Sequence, residues 1–515
     1  MRTATRLREW WGRFDPLTAV VGATALIVYV LHGVNGYLAR DLAIYSYAGQ
    51  QVADGVPPYV GILNRVGPLA HVIPAIGVLG ARLGGFDDLL GIRLLFLIIA
   101  AACVCMVYLV ARDLFASPLA GLAAAAAFLS FSGFIEYASN GPREKTAMVL
   151  FLLCTLWAVN KQRWFTAGLS VSLATLVWQP AFLVGLAAVV VALIAVRPGR
   201  IRALVRFTVG GLVPVAVFLL YFTAVGALQE AIDAFLLINA KYSIAEALTA
   251  NLATNWSRLQ NGYGVSLWVI VVGLGALAVL SLPALRRENR RQDPAVVTVA
   301  AFGAAGLAGA AWMFRDFDNW PDAFTLLPLA AIGIGGIAKV ISDRLSPRAA
   351  LSLTLTWVVA AVAIAGSYSV TERDHRLVLQ RRSVAAMLDH LPPDASLLSI
   401  NSPQALVLSG KTNPTRYQTF TLGMDDYVDD TWPGGLRGFA EWIGRKQPTL
   451  ITVRGAVSPW LAETIETEYR RVGSAPGWVW YAQQCLGPDV LAALRRDHPH
   501  PGGRTNERGS GRCGP

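Results

Sequence analysis

The chain has 515 residues, 54% of them hydrophobic and only 15% charged, whereas a soluble domain carries roughly 25% charged residues. That composition excludes an ordinary soluble fold of this length, which needs more surface charge. The net charge of +11 does not mark a nucleic-acid binder, because the basic residues fall in small groups between apolar blocks and form no single patch.

In chain order, Arg2, Arg6, Arg8 and Arg13 precede an apolar run over 16–38. The run is too long for a signal-peptide core and lacks a good small-residue cleavage site, so it reads as a retained first helix. Further apolar stretches follow at 68–84, 90–111, 117–135, 145–160, 163–179, 180–196, 204–226, 264–284, 295–314, 322–342 and 348–370. Most approach the roughly 20 residues that cross a hydrocarbon core. The stretch 68–84 decides the count: it starts with Pro68, contains His71, Pro74 and Arg82, and is barely long enough. If it lies along the membrane or re-enters, Arg112, Lys161 with Arg163, Arg197 to Arg206, Arg286 to Arg291, and Arg344 with Arg348 all fall on the cytoplasmic side. If it spans, all of them move outside, against the positive-inside rule. The expectation is therefore about eleven spans, with the N-terminus inside and the C-terminus outside. The outer side then holds 39–89, 136–144, the turn at 179–180, 227–263, 315–321 and everything after about 371.

After residue 370 the composition turns soluble-like. Strands are expected at 396–400, 449–453 and 478–481, and helices at 375–391, 436–444 and 460–472. This alternation predicts a small extracytoplasmic α/β domain over 371–484, following a transmembrane domain over 1–370. It has no phosphate-cradling glycine motif, so no nucleotide is assigned to it. The Gly-, Arg- and Pro-rich tail 485–515 is expected to be disordered. Cys103, Cys105 and Cys154 read as small core residues, while Cys485 and Cys513 are able to pair if that end is extracytoplasmic.

The chemistry is expected in the outer loops. Asp41 stands at the exit of the first helix, where a carboxylate is costly unless solvated or paired. It is either a functional acid or the N-cap of a helix lying in the interface, whose apolar face is Ile44, Tyr45, Ala48 and Val52. Gly55 ends that helix, and Pro57 and Pro58 hold an extended turn before Tyr59. The second loop crowds Glu136, Arg143, Glu144 and Lys145 into ten residues: either a phosphate grip or a polar cap between helices. The third loop, from Arg315 through Asp316 and Asp318 to Asp322, is either a divalent-cation site or ordinary turn chemistry. Lys241, Tyr242, Asn255, Trp256 and Arg258 suit an interfacial belt or a lipid-phosphate site.

The stretch from Asp41 through Tyr45, Tyr47, Gly49, Gly55, Pro58, Tyr59 and Arg65 to Pro68-Leu69 resembles the first outer loop of the GT-C superfamily of membrane glycosyltransferases. Arg93 and the run from Val107 to Phe115 resemble that group's next span. Ser139 to Thr146 and Leu176 to Pro180 resemble a narrower set, the archaeal and actinobacterial dolichol-phosphate-mannose mannosyltransferases. The likeness covers roughly residues 16–200. Two departures stand out: Leu42 replaces the second acid after Asp41, and Arg65 stands near Pro68 where the group has a lysine.

The resemblance implies a mainly helical GT-C-like membrane protein that transfers a sugar, mannose first, from a polyprenyl-phosphate donor to an acceptor hydroxyl with inversion. The acceptor is a glycan, glycolipid or protein, and membrane lipids are the other partners. It implies Asp41 as general base and Arg143, Lys145, Arg65 and Arg315 as donor-phosphate ligands. Glu144, Glu136, Tyr45, Tyr59, His71 and Gln179 would support the site, with a divalent cation on Asp316 and Asp318 left open. The alternative reading is a transporter or flippase of lipid-linked sugars, although no internal repeat is visible and the polar residues cluster in loops.

Overall fold

A computed structural model describes residues 15–196, 199–286, 288 and 294–496. Arg2, Arg6, Arg8 and Arg13, the loop cations Arg197, Arg287, Arg290 and Arg291, and Cys513 with most of the tail lie outside the described residues.

Each apolar stretch read from the sequence is helical, from Pro16–His32 through Leu69–Gly84 and Asp88–Phe115 to Leu327–Ser342 and Pro347–Thr371. Local chemistry sets several starts. Asp15, Ser117 and Ser346 each accept a backbone N–H of the following first turn, and each is followed by proline at the first helical position. Gly85, in the left-handed region at φ 70°, ends Leu69–Gly84. Among the described residues, five helices are long and apolar enough to cross a membrane. The pair Pro118–Leu129 and Ser132–Asn140, bent by 72°, would make a sixth. Pro16–His32, Trp164–Val177 and Leu327–Ser342 are apolar but shorter than a full crossing.

The chain forms two compact units. The first draws on 15–34, 93–220 and 245–373, within the described residues. Its helices approach closely through small residues. A Cβ on Gly273 or Gly333 would overlap the facing backbone of the other helix, and Gly168 stands in the same relation to Phe207. Polar groups between helices find carbonyl partners: buried Arg93 donates to the Val34 carbonyl at 2.5 Å, and partly buried Trp357 donates through Nε1 to the Ala123 carbonyl at 3.0 Å. Arg112 bridges Asp15 at 2.6 Å and Asp113 at 2.7 Å, and Lys161 meets Asp113 at 2.8 Å. Cys103, Cys105 and Cys154 are free, and only Cys103 is fully buried.

The second unit comprises 35–92, 221–244 and, within the described residues, 374–496. It contains a four-stranded mixed sheet of β1 (Leu397–Ile400), β2 (Leu450–Val453), β3 (Tyr469–Ala475) and β4 (Trp478–Gln483), in the order β1-β2-β4-β3. β1 and β2 are parallel, and the other pairings antiparallel. Leu398, Ile400, Ile451 and Val453 turn one face of the sheet onto Phe439, Ile443, Leu461 and Ile465. Two expectations are corrected here. The helix expected over 460–472 is Pro459–Glu468, and its last turns are strand β3. The run from Tyr469 to Arg471 pairs through a hairpin with β4, with Tyr469 and Val472 buried, so tertiary pairing overrides a helical spacing. Residues 488–496, expected to be disordered, form the helix Pro488–Arg496, with Asp489 in its first turn, Arg495 and Arg496 in its last, and Leu494 buried. Cys485 is disulfide-bonded.

Candidate functional site

In the second unit, the helix Arg40–Ala53 follows the first apolar helix. It is not a half-exposed interfacial helix: every residue from Leu42 to Gln51 is buried. Gly49 lets it press on the backbone of Pro74 and Ala75, and Tyr47 Oη accepts the Asn413 N–H at 2.9 Å. Asp41, at the open N-terminal end of the helix, has 40% of its side chain exposed. It does not cap the helix, because Ala39 holds that place. It sits in the first turn, where the helix N-terminus favours a carboxylate. Arg40 donates through Nε to Asp41 at 3.1 Å and through Nη1 to Thr421 Oγ1 at 3.0 Å.

The loop after this helix is fixed from within the same unit. Tyr59, fully buried at φ 72°, donates to the Val66 carbonyl at 2.8 Å. Its ring lies 4.8 Å from that of His71, whose Nε2 is 3.1 Å from Asn64 Oδ1. Burial pushes the imidazole down to about 3, so His71 is neutral at physiological pH and serves as a hydrogen-bonding support. Arg65 Nη1 donates to Ser243 Oγ at 2.8 Å, and Asn239 holds the Arg65 carbonyl at 2.7 Å. Tyr45 is buried in the helix. Asp41, Arg65, Tyr59 and His71 thus share one compact unit.

In the first unit, the second and third predicted loops meet. Lys145 is buried and forms an ion pair with Asp322, and its ammonium lies 4.5 Å from the Trp178 ring centroid. Asp322 also accepts the backbone N–H groups of Asp318 and Asn319, at 2.8 and 3.1 Å, within an Asn319 capping box. Tyr137 stacks on Trp320 at 5.0 Å, and the Arg143 guanidinium lies 5.6 Å from the Tyr137 ring. Glu144 takes the first turn of Glu144–Asn160 and pairs with Arg143 at 3.3 Å. Glu136 belongs to Ser132–Asn140, and Gln179 follows Trp178 in the turn before Ala181–Ala195. Arg315 ends Pro294–Arg315, exposed and over Trp312 at 5.7 Å.

Lys145 is therefore occupied by a carboxylate: Asp322, read from the sequence as one of three acids in the third loop, is its ion-pair partner, a pairing that the loop reading missed. Its signal is legible afterwards, because Asn319 followed three residues later by Asp322 is a capping-box spacing. Arg40 is the other omission, overlooked as a flank of Asp41. Among the described residues no group of three or more His, Cys, Asp or Glu side chains is placed to hold a metal. Asp322 is already engaged, which leaves Asp316 and Asp318 as the candidates in that loop.

Residues 69–222 match the family described as dolichyl-phosphate-mannose-protein mannosyltransferase. No curated protein matches the chain at the sequence level. The fold is similar to that of ArnT from Cupriavidus metallidurans in the apo state, at 14% identity and a TM-score of 0.65, over 93% of this chain and 98% of that one. The same protein bound to undecaprenyl phosphate matches with a TM-score of 0.65 and 14% identity, over 92% and 99%. An oligosaccharyltransferase from Archaeoglobus fulgidus in the apo form matches with a TM-score of 0.52 and 12% identity, over 93% and 77%.

Proposed function

We propose that this chain, with its fold similar to ArnT and its segment 69–222 matching a mannosyltransferase family, is a GT-C membrane glycosyltransferase using a polyprenyl-phosphate sugar on the extracytoplasmic face. The observation that carries the reading is Asp41, a partly exposed acid paired with Arg40 in the first turn of a helix whose middle is buried. Undecaprenyl phosphate bound to ArnT supports the donor class.

The acceptor hydroxyl gives its proton to Asp41 as its oxygen attacks the anomeric carbon, forming the glycosidic bond with inversion. The bond from that carbon to phosphate breaks, and polyprenyl phosphate leaves with the electron pair. This leaving group needs positive charge more than a strong acid. Arg65, in the same compact unit as Asp41, is the cation assigned to it. Glu144 orients Arg143, while Glu136 and Gln179 line the second loop and the adjoining turn. Mannose is the first sugar to test, and the acceptor is a glycan, glycolipid or protein. A divalent ion on Asp316 and Asp318 would add charge neutralisation. The described residues bring no third carboxylate, His or Cys ligand to them, so no step is routed through it.

The test is transfer of radiolabel by purified protein from a panel of polyprenyl-phosphate sugars and, in parallel, nucleotide sugars. Transfer from a lipid donor supports the reading. Transfer only from nucleotide sugars, or lipid movement across vesicles without transfer, contradicts it.

A further inference from the structure

The stretch from Lys411 to Thr421, beyond strand β1, lies far in sequence from the predicted site but belongs to the same compact unit as Asp41 and Arg65. Two hydrogen bonds draw it in. The Leu63 N–H donates to the Arg416 carbonyl at 2.9 Å, two residues before Arg65. Arg40, the partner of Asp41, donates to Thr421 at 3.0 Å.

The side chain of Arg416 is half-buried. Its guanidinium lies 5.3 Å from the centroid of the Tyr417 ring and donates to the Tyr417 hydroxyl at 3.3 Å. Among the described residues, no carboxylate is in ion-pair range of it and it donates to no carbonyl. Glu230 acts on it only through the field. A guanidinium has five N–H donors, and a structural arginine normally spends several on a carboxylate or on backbone carbonyls. A partly desolvated one with a single hydroxyl partner is suited to an anion with several acceptor oxygens, which arginine grips in bidentate fashion.

We propose that Arg416 is a binding residue for the donor phosphate, acting beside Arg65 and giving the C-terminal segment a direct part in the site. The proposal rests on the glycosyltransferase reading above, since the phosphate is that of the polyprenyl carrier. The donor phosphate is a diester with one negative charge and becomes a monoester with up to two as the sugar leaves, more than one arginine neutralises; the Arg416 carbonyl is bonded to Leu63, two residues before Arg65.

The experiment measures binding of undecaprenyl phosphate and of neutral undecaprenol to the full-length protein in nanodiscs. R416Q is expected to weaken undecaprenyl phosphate binding at least tenfold, R416K less, and undecaprenol binding not at all. Equal phosphate-lipid affinity in R416Q and wild type overturns the proposal and leaves the glycosyltransferase reading intact. Failure of the wild type to bind any polyprenyl phosphate overturns both. A second measurement needs no variant: phenylglyoxal modification of Arg416 in the wild type, followed by mass spectrometry. Undecaprenyl phosphate should slow it several-fold where undecaprenol does not, and equal rates would count against the assignment even if R416Q failed to fold.

Discussion

Two residues carry different burdens in this chain. Asp41 is half open, and its replacement by Asn should leave folding intact while lowering transfer by about 10²–10⁴-fold, the usual contribution of a positioned base. Lys145 is closed in. Lys145→Ala would leave Asp322 buried without its counter-charge, at an expected cost of about 3–5 kcal/mol, read from unfolding in detergent. Replacing both together, Lys145→Met with Asp322→Leu, should recover most of that loss. A stable Lys145→Ala single variant would show that the pair does not hold these loops. The sequence made Lys145 visible as a cation, but not its partner 177 positions away. Spacing along a chain reports neighbours on one helix, and an ion pair between distant loops leaves no local trace beyond the capping spacing at Asn319.

At the level of elements, the apolar helices were legible because hydropathy alone identifies them, and Gly55, at φ 86°, closes the helix Arg40–Ala53 region as read. Strand β3 and the buried state of Arg40–Ala53 were not, since both depend on what the segment packs against. Close helix approach in the first unit rests on glycine. Gly333→Leu would drive a side chain into the Gly273 backbone, with an expected loss of about 1–3 kcal/mol and reduced yield of folded protein. In the second unit, Asp374 fastens its own segment to Tyr37: Oδ2 accepts the Tyr37 N–H, and Oδ1 the Arg376 N–H, both at 2.9 Å. Partial burial raises this carboxyl, but those two N–H groups and the Arg376 guanidinium outweigh it and hold it below its usual 3.8. A depressed folded-state value gives stability that is full above the unfolded value and is lost as pH falls through the folded one. Wild type should therefore exceed Asp374→Asn in Tm near neutrality, with the gap shrinking below about pH 4. A gap that is constant or widens in acid would refute this.

For the whole molecule, the expected orientation rests on the placement of arginine and lysine. Thr412 and Gln162 are both exposed and sit on opposite sides of the expected topology. In a background without Cys103, Cys105 and Cys154, Thr412→Cys should react with an impermeant maleimide in intact cells, and Gln162→Cys only after permeabilisation. The reverse pattern would turn every outer loop inward. The sequence resemblance reached the fold because hydropathy and the Asp41-to-Leu69 pattern are both local, whereas the part played by the C-terminal segment is set by bonds from residues 413–421 back to 40–63 that no local pattern predicts.

The most direct test is a single-turnover measurement of sugar transfer from a polyprenyl-phosphate donor, wild type beside Asp41→Asn, with donor binding followed in the same samples. The expected result is unchanged donor binding and a bond-making step slowed at least a hundredfold in the variant. Equal rates in the two proteins would remove Asp41 from the chemistry and contradict the mechanism.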